Sequence, residues 1–302
     1  MALLDKKNNH GTSAGTSLLE PEDIARLETF EFAPRMVAEG LYAGRHRSLT
    51  RGSSTEFRDY REYSPGDEIG LLDWRAYARS DRFYIRTFEQ ETSLDCTIFL
   101  DSSASMGFGE KVSKLRYGSF LAAALSYLVV RRGDRISLHL FDEQLRHSLP
   151  HGSTRRHLNH IFTRLERNEA GEATHTAAAL NRALPAMRHR GAMLVISDFL
   201  DDPVSLFEAL DPYNHRGFRI YLCHILDPEE LDLPRRGMLT FEDLESRVRV
   251  RAHTEELRKA YRDAVSQHVE VIRQLARRRK IEYIPARTDA SIHAILNALN
   301  QT

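Results

Sequence analysis

Leu94-Asp95-Cys96-Thr97-Ile98-Phe99-Leu100-Asp101-Ser102-Ser103-Ala104-Ser105 is the stretch on which the fold turns. Its first seven residues, LDCTIFL, make a run too short for a helix and rich in aromatic and branched side chains, which predicts a strand. The run is nearly continuous in apolar character, as expected of a strand covered on both faces. Working outward, Lys111 to Val130 predicts a helix with Leu121, Leu125 and Leu128 on one face. RISLHLF (135–141), AMLVI (192–196), 218–225 and 281–284 predict further strands. Helices are expected over 154–167, 175–187, 204–210, 255–278 and 290–299. Short apolar strands alternating with amphipathic helices predict a doubly wound, mostly parallel α/β sheet with helices on both faces. Residues 236–250, which include GMLTFEDLESRVRV, break the rhythm and predict an inserted hairpin.

The composition narrows the function. The 302 residues carry 43 basic and 43 acidic side chains, a balance that argues against wholesale capture of nucleic acid or of an anionic membrane. The longest apolar run, Phe120 to Val130, is far short of the ~20 residues of a membrane span. Met1 to Ser17 has charged residues and then Gly, Ser and Thr but no apolar h-region, and Cys96 and Cys223 both lie in apolar runs, as buried, reduced thiols do. The expectation is a soluble cytoplasmic protein.

Residues 1–19 are polar and rich in Gly, Ser and Thr and are expected to form a disordered tail. Residues 20–90 are expected to be an accessory region packed on the main domain, 91–302. This region should start with a helix near Pro21 and a second near 34–39, continue irregularly from Gly40 to about Ser80, and end in a strand, RFYIRTFE (82–89). Its arginines interleave with Glu62, Asp67, Glu68, Asp73 and Asp81, which predicts ion pairs, Asp73 with Arg79 among them. Trp74, the single tryptophan, is expected to be a buried packing residue.

In a parallel sheet, ligands gather at the carboxyl ends of the strands. The first strand ends in D-x-S-x-S, a carboxylate with two hydroxyls at alternate positions, a hard oxygen set suited to a hard cation. The nearby Gly107-Phe108-Gly109-Glu110-Lys111 fits neither G-x-x-x-x-G-K nor G-x-G-x-x-G. Thr174 precedes one helix, and Ser197-Asp198 ends another strand. Asp101, Ser103, Ser105, Thr174 and Asp198 are therefore the expected ligands of one Mg²⁺ or Mn²⁺, with a coordination position left open. Thr176 is expected to cap its helix or to support the ligands from behind. His157 and His160 share a helix face without a third ligand. No G-x-S-x-G elbow, H-E-x-x-H or cysteine–histidine pair is present, so no catalytic residue is assigned.

DSSAS, GEATHTAAAL and SD resemble the metal-ion-dependent adhesion site of von Willebrand factor A domains, over roughly residues 90–300. In that fold the serines and the threonine contact the metal, the aspartates often act through water, and a partner's Asp or Glu completes the shell. Upstream, Glu56-Phe57, Arg61-x-Tyr63, Gly66-Asp67, Asp73-Trp74 and Ala78-Arg79 resemble the bacterial domain-of-unknown-function family 58, whose members look like companions of MoxR-type AAA+ ATPases. Gly70 stands where that pattern carries an arginine. The resemblance implies a metal-dependent protein-interaction module. It would be an adaptor of such an ATPase in protein remodelling or complex maturation, with an acidic-residue-bearing client, and no nucleic acid and no enzymatic activity. A metal-assisted hydrolase using the same strand-end site is the alternative.

Overall fold

The computed structural model describes residues 2–3, 19, 21–28, 55–64, 70, 72–90, 94–171, 173–187, 190–233, 237–242 and 249–301. Along the chain come β1 (Ala2–Leu3), α1 (Pro21–Glu28), β2 (Thr55–Glu62), α2 (Trp74–Ser80) and β3 (Tyr84–Gln90). Next are β4 (Asp95–Asp101), α3 (Lys114–Arg131), β5 (Arg135–Phe141), β6 (Leu145–Gly152), α4 (Arg155–Glu166) and α5 (Thr176–Ala183). Then follow β7 (Gly191–Ser197), α6 (Pro203–His215), β8 (Arg219–Leu226), α7 (Pro228–Leu231), β9 (Met238–Glu242) and β10 (Arg249–His253). The chain ends with α8 (Thr254–Arg278), β11 (Glu282–Arg287) and α9 (Ile292–Gln301). It divides into two compact units, residues 1–38 with 94–302, and residues 39–93.

The larger unit is built on a six-stranded sheet in the order β11-β8-β7-β4-β5-β6. All neighbours are parallel except β6, which returns antiparallel to β5. This is the expected α/β fold, a mostly parallel sheet with helices on both faces. Alternate residues of each strand feed two cores. Ile98, Leu100, Leu194, Ile196, Cys223 and Ile225 pack with Leu121, Leu125 and Leu296 on one face. Phe99, Met193, Val195 and Leu222 pack with Phe207, Leu210, Tyr213 and Ile272 on the other. Burial on both faces is why the strands read as near-continuous apolar runs. Both cysteines are buried and unbridged, and burial pushes their thiols up to about 12.

The chain leaves β4 toward β5 and β6, then returns to the other side of β4 as β7. The carboxyl ends of β4 and β7 therefore flank the switch in strand order, where a crevice opens. Helix α3 begins three residues later than expected because Ser113 caps it, accepting from Arg116 N at 3.1 Å. The two edge strands, β6 and β11, each contain a proline, Pro150 and Pro285. Pro150 falls where the register between β5 and β6 shifts.

Several expectations need correction. The 236–250 hairpin is present as β9 and β10, but it gains a third strand: Ala2–Leu3, placed in a disordered tail, pairs antiparallel with β9. Leu19 and Leu27 are buried in the core of the larger unit, and Arg131 donates to Leu27 O at 2.8 Å. The amphipathic face of α1 thus belongs with 94–302, and the boundary drawn at residue 20 moves to 39. The helix expected over 34–39 lies outside the described residues.

In the smaller unit β2 and β3 form an antiparallel ribbon, from Thr55 opposite Gln90 to Glu62 opposite Tyr84. The expected irregular stretch 40–80 therefore holds a strand and a helix. Asp73 caps α2, accepting from Arg75 N at 2.8 Å and Ala76 N at 3.1 Å. Arg79 donates Nε to Arg75 O at 3.2 Å. Trp74 is 60% exposed, against the expectation of burial, because it is the first residue of a two-turn helix with no buried residue. Tyr77 stacks instead on Phe83, with ring centroids 4.4 Å apart.

Candidate metal centre

Four of the five expected ligands come from loops that end β4 and β7. Asp101 is the last residue of β4 and wholly buried; its Oδ1 accepts from Ser103 N at 2.9 Å and its Oδ2 from Ser197 Oγ at 2.6 Å. The turn that follows brings the Ser103 and Ser105 hydroxyls to 3.0 Å from each other, both buried. Asp198 leaves β7 2% exposed. Ser197 joins the two loops, since the hydroxyl that donates to Asp101 also accepts from Phe199 N at 2.9 Å.

Thr174 is 4% exposed and sits in a loop stitched to both neighbours. Asn168 Nδ2 donates to Ser102 Oγ at 2.9 Å, and Gly171 N to Ser102 O at 2.7 Å. At the other end Thr176 N donates to Asp201 Oδ2 at 2.8 Å, so Asp201 caps α5 from a distant loop. Three loops thereby meet on one rim.

Asp198 makes a contact that spacing did not announce. Lys114, the first residue of α3, is fully buried, and its Nζ donates to Asp198 Oδ2 at 2.6 Å and to Glu230 Oε1 at 2.7 Å. Residues 59–271 match the family described as Protein of unknown function DUF58. The chain belongs to the DUF58 family. The curated Mycobacterium tuberculosis protein "Uncharacterized protein Rv1480" is 28% identical over 234 residues, covering 76% of this chain and 73% of that protein. Among solved structures, the conserved hypothetical protein BatB from Bacteroides thetaiotaomicron is similar at 20% identity and a TM-score of 0.49, over 69% of this chain and 96% of its own. A von Willebrand factor type A protein from Catenulispora acidiphila matches at 15% identity and a TM-score of 0.32, over 47% of this chain and 35% of its own.

In this DUF58 chain the rim carries more negative than positive charge. Burial, then the nearby Asp198, pushes the Asp101 carboxyl up to about 7, against the hydrogen bonds from Ser197 and Ser103. Burial also works against ionisation of Asp198, but the Lys114 ammonium overcomes it and holds this carboxyl below its ordinary value. Glu230 goes the other way, raised by burial more than Lys114 lowers it.

The residues fit a hard divalent cation. Asp198 Oδ1 is buried and makes no hydrogen bond of proper geometry, although Ser105 lies close enough to help keep the carboxylate ionised. A buried carboxylate oxygen left in that state is costly unless something binds it. Among the described residues no three His, Cys, Asp or Glu side chains converge on one metal position, so the donor set rests on two carboxylates with hydroxyls. That composition suits Mg²⁺ or Mn²⁺, which keep part of their water. His157 is engaged elsewhere, with Nε2 2.9 Å from Ile136 O.

The sequence reading missed Lys114, Glu230, Ser197's hydroxyl and the turn after Asp198. Phe199 adopts a φ of 46°, a left-handed conformation uncommon for a bulky residue, and its carbonyl lies 2.7 Å from His268 Nε2. Such local strain is concentrated at functional sites. One signal for Lys114 was available: a lysine in the first turn of an apolar helix opposes the helix dipole and needs a local reason.

Proposed function

We propose that the rim formed by the ends of β4 and β7 is a divalent-cation-dependent protein-docking site and not a catalytic one. Asp101, Ser103, Ser105, Thr174 and Asp198 would hold one Mg²⁺ or Mn²⁺. The ion, when bound, supplies a positive centre with exchangeable water that a partner's carboxylate can displace. The observation that carries this reading is the meeting of two buried carboxylates and buried hydroxyls, one carboxylate oxygen being without a hydrogen bond. The chain's own residues order the rim: Ser197 locks Asp101, Gly171 and Asn168 hold the Thr174 loop, and Asp201 fixes the start of α5. Among the described residues no helix is long and apolar enough to cross a membrane.

In the family resemblance, the partner would be a MoxR-type AAA+ ATPase, with this protein presenting an acidic-residue-bearing client in the cytosol. The test is capture of the ATPase and client by purified protein with Mg²⁺ and with EDTA. Capture should be lost in EDTA, return on adding Mg²⁺, and be abolished by Asp101→Ala or Thr174→Ala in protein that stays folded. Mg²⁺ or Mn²⁺ should also raise the melting temperature of the wild type by mass action, but not that of Asp101→Ala. Undiminished capture in EDTA would overturn the metal bridge, and turnover of phosphoesters by the pure protein would favour a hydrolase.

A further inference from the structure

We infer that Lys114 and Glu230 set the charge of the metal rim, and so how tightly it holds a divalent ion. This rests on the metal-docking reading above and adds two residues to it. Among the described residues Lys114 is the one lysine or arginine that is buried, and it lies at a helix start, where the dipole disfavours a cation. Its two contacts, at 2.6 Å to Asp198 and 2.7 Å to Glu230, join three elements: α3, the end of β7 and α7. Phe108 covers the ammonium, with its ring centroid 5.8 Å from Nζ.

Asp198 and Glu230 set two carboxylates against one ammonium, with Asp101 beside Asp198, in surroundings with almost no water: side-chain exposures are 0% for Lys114, 2% for Asp198 and 14% for Glu230. The carboxylates outnumber the ammonium, so negative charge is in excess where an ion would bind. At short range and low dielectric, each of these charges acts strongly on an ion bound at Asp198. A tie that merely braced α3 against α7 would need no such excess. With the ammonium removed the rim should favour higher positive charge, and with one carboxylate removed it should hold a divalent ion less well.

The experiment is calorimetric titration of the full-length protein with Mn²⁺ and with Tb³⁺, alongside melting curves in EDTA. Lys114→Met should bind Mn²⁺ at least tenfold more tightly, prefer Tb³⁺ over Mn²⁺ more than the wild type does, and melt lower in EDTA. Glu230→Gln should bind Mn²⁺ about tenfold more weakly and shift the Tb³⁺ to Mn²⁺ preference downward. Glu230 sits on a short helix, so this variant stays informative if Lys114→Met does not fold. Wild-type binding of Mn²⁺ with affinities unchanged in the variants, or altered in the same direction in both, would overturn the charge-setting role alone. Absence of ion binding by the wild type at millimolar concentration would overturn the docking reading and this one with it.

Discussion

Replacing Gly191 with alanine is expected to destabilise the fold by about 4 kcal/mol, at the far end of what single substitutions do. A Cβ there would stand 2.0 Å from Asp95 O, 2.9 Å from its carbonyl carbon and 3.2 Å from its Cβ. The obstacle is mainly the backbone of the neighbouring strand, since Gly191 is the register partner of Asp95. Asp95 cannot easily yield, because it is 5% exposed and held by two bonds of 2.7 Å from the Arg135 guanidinium. Relief would require β4 and β7 to part at their start, and both strands end at the candidate metal centre. Gly133→Ala is the control, at a φ of +84° with nothing within 4 Å, and should cost only about 1–2 kcal/mol of backbone strain. Urea unfolding of the three proteins reads the result; a Gly191→Ala loss no larger than the control's would mean that the strands can separate cheaply.

Acid should remove a second large contribution, and His139→Gln should reveal it. His139 is 4% exposed, with Nδ1 3.0 Å from Ser148 Oγ, its ring stacked on Phe99 and its Nε2 without a hydrogen-bond partner. Burial, assisted by the charge of His151, lowers its pKa from 6.5 to about 4. Because the unfolded chain takes up the proton first, this ring's contribution is complete above about pH 6.5 and lost as the pH falls to about 4. The shift corresponds to on the order of 3 kcal/mol. Asp101 acts in the opposite sense, since its raised pKa makes ionisation costly as the pH rises toward 7. Comparing His139→Gln with its parent at each pH cancels that effect. The wild type's stability relative to the variant should fall by about 3 kcal/mol between pH 7 and pH 4; parallel profiles would rule out a neutral buried imidazole.

The parallel core was legible because β4, β7 and β8 are buried on both faces and their residues carry that fact as apolar runs. The strands overlooked have no such mark. In β6, LRHSLPHG is largely exposed, and β2, TEFRDYRE, belongs to a two-stranded ribbon. Trp74 misled because an isolated tryptophan usually marks a core, whereas here it begins an exposed helix. At the candidate site, Asp101, Ser103 and Ser105 could be read from their spacing, and Thr174 and Asp198 from their places beside predicted elements. The contact of Lys114 with Glu230 spans 116 residues, and only the return of the chain across the sheet brings them together. The lysine's place at a helix start was open to a local reading, but its partners were not.

The prolines of the two outermost strands bear on how this molecule can associate. A proline offers no amide hydrogen to an incoming strand, and Pro150 also lies at a break in register. Neither flank of the sheet presents an unbroken ladder onto which another chain could zip, whether an identical copy polymerising or a foreign peptide extending the sheet. Contact made through the six-stranded sheet is thus steered from main-chain pairing toward side chains, at the loop-bearing ends of the strands. On the docking reading, a change of one residue there would alter who is recognised without disturbing the scaffold beneath.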